Sequence, residues 1–253
     1  MPQKQHIYSF LMMAICGIAW LLQSACQEDS QTCSENLPSY PEVGCLRWHD
    51  ADNDREYDWY RTQMGTGPEE GNNCGPTSVA MAIYWFDPTL DVPPGDIRDM
   101  ITPGARGWWY TTDIAAALDA WEVPYRIREA SHEAIQEALD AGFVLLFCLN
   151  MGYITRAENP KATHFDRFYA FDSGHFLIVK GHFWDGQWLI VYDPNNWYDD
   201  YYDEAHEWPL GKNRYYNSFE VLTSAQNWWP YFFEIGISDG KRHDYIPVGR
   251  SGP

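Results

Sequence analysis

An α+β fold, with helices from the N-terminal half packed on an antiparallel sheet from the C-terminal half, is expected from three stretches. The first is the apolar run that follows Gly71-Asn72-Asn73-Cys74-Gly75-Pro76-Thr77-Ser78, where Val79, Ile83 and Phe86 recur at helical spacing. The second is the uninterrupted apolar segment 143–149, which reads as a strand buried on both faces. The third is the pair of apolar segments 174–181 and 188–192 around Asp185-Gly186, a hairpin signal. Helices lead and strands follow, an order that belongs to α+β architectures.

Taken along the chain, residues 26–60 read as a loop-rich lead-in, 61–240 as the main domain and 241–253 as a tail. Asp50-Ala51-Asp52-Asn53-Asp54 resembles the start of a calcium loop. Arg55 stands where that loop needs Gly and Arg61 where it needs Glu, so a solvated acidic turn is expected. Gln63-Met64-Gly65-Thr66-Gly67-Pro68 is a Gly-rich loop without the lysine of a phosphate cradle. Pro76 suits the first turn of a helix, and Pro88 stops it. A short helix follows Pro93-Pro94 over 95–100. Thr112-Asp113 can cap another that runs to 121, with Ile114, Leu118 and Trp121 on one face. Segment 125–127 is a short strand. Ser131 opens a helix with Glu133 in its first turn, Ile135, Ala138 and Leu139 inside, and Gly142 at its end. Residues 150–173 read as a polar loop, and 231–237 as a last strand.

The net charge of −19 argues against nucleic acid, whose phosphates need Lys and Arg, and against anionic membrane surfaces. It permits a basic peptide as substrate. The 13 Trp and 17 Tyr are assigned mainly to packing, since few rings can reach one cleft. Residues 1–25 form a secretory signal: one charged residue, Lys4, then an apolar run ending in Gln23-Ser24-Ala25. Export follows, either as a lipoprotein anchored through Cys26 or by simple cleavage near Ala25.

Of the six cysteines, Cys16 lies in the signal, Cys33 and Cys45 are candidates for a disulfide, and Cys148 lies in a buried strand. No Cys-x-x-Cys pair occurs, so neither a metal site nor a cofactor is expected. Cys74 is left as an unpaired cysteine at a helix start, where free N–H groups and the helix dipole favour a thiolate. The hairpin sets His175 at the start of one strand and Asp193 just after the next, neighbours at one sheet edge. Cys74 as nucleophile, His175 as base and Asp193 as orienter make a triad. His164 lies in the polar loop and His182 at the strand end near Gly181, His132 and His206 have no partner pattern, and His175 ranks above all four.

Asn73-Cys74-Gly75-Pro76-Thr77-Ser78, Leu139-Asp140-Ala141-Gly142-Phe143-Val144, Gly174-His175-Phe176 and Asp193-Pro194-Asn195, in that order, resemble the double-glycine leader peptidases and their stand-alone relatives. These form cysteine peptidase family thirty-nine of the papain-like superfamily, and the likeness runs from about 63 to 237. It implies a papain-like fold, a Cys–His–Asp triad and a glutamine in the oxyanion hole, here Gln63. Asn72 or Asn73, with the backbone N–H of Cys74, is the alternative donor. The implied activity is cleavage of a peptide or amide bond through a thioester intermediate, on a peptide or protein substrate. The alternatives are a weak or inactive peptide-binding protein on the same scaffold, or a transglutaminase-like acyl transferase.

Overall fold

The computed structural model describes residues 51–196, 202–203 and 208–236. The signal, Cys26, the Cys33–Cys45 pair, His206 and the 241–253 tail lie outside these residues.

Strand β1 (Ala51–Asp52) opens the described chain. Helix α1 (Cys74–Phe86) follows, and it is buried from Cys74 to Ile83 on every side. Such a helix belongs in the middle of a fold. Phe86, expected on its inner face, is 41% exposed, and Trp85 is buried instead. The reason lies in the preceding segment. Arg55 stacks 4.0 Å over the Trp85 ring, and the Trp85 indole donates to the Asn53 carbonyl at 2.7 Å. That segment covers the Trp85 side of the last turn and leaves Phe86 in solvent.

Helix α2 (Pro94–Ile101) starts on its proline, and α3 (Thr111–Ala120) starts at Tyr110, whose N–H is accepted by Asp113. After β2 (Tyr125–Glu129), Ser131 caps α4 (His132–Asp140) by accepting from Ala134 N–H at 3.1 Å. Gly142, at φ 89°, ends it, with Phe143 N–H bonding back to Ala138. Strand β3 (Val144–Asn150) is followed by a long irregular segment to residue 173. Strands β4 (Gly174–Phe183) and β5 (Trp188–Tyr192) make the expected hairpin, with Asp185 and Gly186 both at positive φ. A small pair, β6 (Tyr202–Asp203) and β7 (Trp208–Pro209), precedes β8 (Arg214–Asn217), helix α5 (Ser218–Gln226) and β9 (Tyr231–Ile235).

The main sheet runs β2-β9-β3-β4-β5-β8, antiparallel throughout, with β1 added to the far half of β4. Alternation along β3 divides the core. Val144, Leu146 and Cys148 face a cluster with Val79, Ile83 and Leu118, while Leu145, Phe147 and Leu149 face Ile135, Leu139 and Val221. The sheet is therefore covered by α1 and α3 on one face and by α4 and α5 on the other. The fold is α+β with the predicted helices on an antiparallel sheet. Helix α5 and strand β8 are additions to the predicted elements.

The acidic turn is exposed, as expected, but it is also tied to the sheet. Strand β4 bulges between Val179 and Gly181, and the wholly buried Lys180 there pairs with Asp52 at 2.6 Å and Asp54 at 3.0 Å. Burial works against the Asp54 carboxylate, but Lys180 and the bonded N–H groups hold it below the usual range. Among the described residues no helix is long and apolar enough to cross a membrane.

Candidate active site

Cys74 is the first residue of α1, and the turn that feeds it is held from three sides. Arg98, buried on α2, donates through Nε to the Asn73 side-chain oxygen and through Nη2 to the Asn72 and Gly107 carbonyls. The Asn73 amide donates to the Thr66 hydroxyl at 2.8 Å and to its carbonyl at 3.3 Å. Trp109 packs against Gly75, where an added Cβ would lie 3.1 Å from its side chain. The nucleophile candidate thus sits on a rigid start of a rigid helix.

His175 is the second residue of β4, opposite Leu149 of β3. Asp193 follows the last residue of β5, and its N–H donates to the Gly211 carbonyl at 2.8 Å. The hairpin brings the two together: His175 Nε2 lies 2.8 Å from Asp193 Oδ1, and both are buried. Cys74 is near enough to the same ring to act on its charge. Burial works against a charged ring, but Asp193, its hydrogen bond and Cys74 outweigh it and push His175 up to about 10. Burial likewise opposes the Asp193 charge, and His175 and the surrounding donors hold it below the usual carboxylate range.

The carboxylate has four donors. Oδ1 also accepts from Asn195 N–H at 2.9 Å, and Oδ2 accepts from the Tyr169 hydroxyl at 2.8 Å and the Tyr216 hydroxyl at 2.7 Å. Tyr60 donates to the Asp193 carbonyl at 2.8 Å. Phe171 stacks on Tyr169 with centroids 4.5 Å apart and meets the His175 ring edge-on at 5.8 Å. Trp228 lies against Gly174, where an added Cβ would come within 2.7 Å of the indole. These rings exclude water from one side of the His175–Asp193 bond.

Gln63 is buried beside the turn into Cys74. Its N–H donates to the Pro194 carbonyl at 2.8 Å and its side-chain amide to the Glu70 carbonyl at 3.0 Å. One amide N–H is spent there, and the side-chain oxygen has no partner among the described residues. The Asn73 amide is committed to Thr66 and Arg98, and the Asn72 amide donates to Glu69 at 3.2 Å. Both asparagines therefore brace the turn.

Cys148, one strand away, is a buried free thiol whose burial pushes its pKa up. Of the other histidines, His164 is buried with Nδ1 3.2 Å from the Asn213 carbonyl, and His182 meets Asp140 at 2.8 Å. Tyr169, Tyr216, Phe171 and Arg98 were not singled out from sequence. Tyr215-Tyr216 carried a usable β signal, two adjacent aromatic residues. Tyr169 and Phe171 lie in a segment without periodicity.

A family model described as Peptidase_C39 like family matches residues 56–226, a span that holds Gln63, Cys74, His175, Asp193 and Tyr216. No curated protein matches the sequence. Among solved structures the chain is similar to the crystal structure of a candidate C39-like peptidase from Bacillus anthracis. The identity is 12% and the TM-score 0.48, over 72% of this chain and 95% of that one.

Proposed function

The chain belongs to the Peptidase C39-like family, and we propose that it is a thiol hydrolase that cleaves a peptide or amide bond and is exported. The observation that carries the reading is the buried 2.8 Å bond between His175 and Asp193, set against the helix start that bears Cys74. In this reading His175 holds the proton that Cys74 has given up, and the thiolate sulfur attacks the substrate carbonyl. His175 then passes the proton to the leaving amine, and a Cys74 thioester remains. A water, deprotonated by His175, attacks the thioester, the acid departs, and the thiolate is left beside the charged ring as at the start. Asp193 holds the ring in one tautomer and stabilises its charged form. The Gln63 amide and the Cys74 backbone N–H serve the oxyanion, as donors fixed before the charge develops. Residues 1–25 support export, and the substrate is a peptide or protein.

The test is a peptide-library cleavage assay on the purified protein beside Cys74→Ala, with labelling by a thiol-directed probe in parallel. Turnover and labelling by the first, and loss of at least about a thousandfold of turnover in the second, are expected. Undiminished turnover in folded Cys74→Ala overturns the assignment.

A further inference from the structure

A buried carboxylate needs donors, but His175 and the Asn195 N–H already supply two. Two phenols then converge on the other oxygen from unrelated places. Tyr169 comes from the irregular segment between β3 and β4, and Tyr216 from β8. Both rings are buried, and both hydroxyls lie within 2.8 Å of Asp193 Oδ2. Burial first, and Asp193 second, hold both phenols well above their ordinary range, so they stay protonated donors wherever the protein is folded. Neither can take or give the reacting proton. Their effect must pass through the carboxylate.

We propose that Tyr169 and Tyr216 are positioning residues of the His175–Asp193 pair: they fix the carboxylate rotamer that serves the ring and share its charge, lowering the pull of Asp193 on the imidazole proton. The inference rests on the hydrolase reading for its consequence in turnover, but its core concerns the ring alone. A phenol that donates to the carboxylate stabilises its negative charge. Without the phenols, the state with a neutral ring and a bare buried carboxylate suffers most, so the pair keeps its proton to higher pH.

Other groups that face the pair stay in place under Tyr→Phe. They are Cys74 from α1, which also acts on Cys148 of β3, and Tyr60 at the Asp193 carbonyl. Arg167 lies 5.9 Å from the Tyr169 ring, and Arg214 acts on Tyr216 from within β8.

The experiment titrates the His175 ring by NMR in the full chain and in Tyr169→Phe, Tyr216→Phe and the double variant, with kcat and KM measured across pH. In the double variant the ring midpoint is expected to rise by about one pH unit. Turnover should fall about tenfold in kcat with KM little changed, and the alkaline limb of the rate profile should follow the ring. Folded variants whose ring titration superimposes on that of the parent overturn the proposal and leave the phenols a packing role. Should Tyr216→Phe not fold, Tyr169→Phe alone decides, since its residue lies outside the sheet. If the parent shows no Cys74-dependent turnover, the hydrolase reading falls, and the ring titration still decides this inference.

Discussion

At the scale of single residues, the site is a buried ion pair beside Cys74, and that fixes how stability responds to pH. His175 moves from an ordinary 6.5 up to about 10, so its contribution is complete below about pH 6.5 and is lost as pH rises through 10. Asp193 moves down from 3.8, so its contribution is present above that value and is lost as pH falls through the lower one. Melting temperature should therefore decline on the alkaline side between these His175 limits. In His175→Ala the decline should flatten, and an unchanged alkaline slope would show that the ring carries no such shift. The residues of the pair were legible because each stands beside a punctuating residue, Gly174 before the histidine and Pro194 after the aspartate. The two tyrosines were not, because nothing in the spacing of Tyr169 or Tyr216 relates them to position 193.

At the scale of elements, what was readable depended on periodicity and caps. Helix α4 announced itself through Ser131 and Gly142, and Ser131→Ala should cost about 1 kcal/mol in chemical denaturation. Helix α5 did not. Its sequence, Ser218 to Gln226, mixes Val221 and Thr223 with a largely exposed Phe219, and a β-rich neighbourhood hid it. Strand β1 was hidden for another reason. Two residues carry no period, and its pairing depends on Gly181, where a Cβ would come within 2.1 Å of the Ala51 carbonyl. Gly181→Ala should force β1 off β4 and destabilise the protein by about 2–4 kcal/mol. A variant as stable as the parent would mean that the two-residue strand contributes nothing.

At the scale of the whole molecule, the β4 bulge ties the lead-in to the middle of the sheet through one buried cation. Lys180 is held by Asp52 and Asp54, 128 and 126 residues earlier in the chain. Removing both carboxylates strands a buried charge, so Asp52→Ala with Asp54→Ala should cost about 3–5 kcal/mol. Lys180→Met, which removes the buried charge itself, should be far milder. Urea unfolding of the two variants checks the contrast, and equal losses would refute the account.

Local pattern was enough to set Cys74 on a helix start, to read β3 as buried on both faces, and to fold 174–192 into a hairpin with His175 and Asp193 at one edge. Periodicity, turn residues and caps act over a few residues, and a linear reading can see them. The four donors around Asp193, the bracing of the Cys74 turn by Arg98, and the Lys180 cluster came only with the closed chain. Each is a meeting of side chains from separate elements, chosen by which partners satisfy a buried charge or polar group, and that choice leaves no period along the sequence.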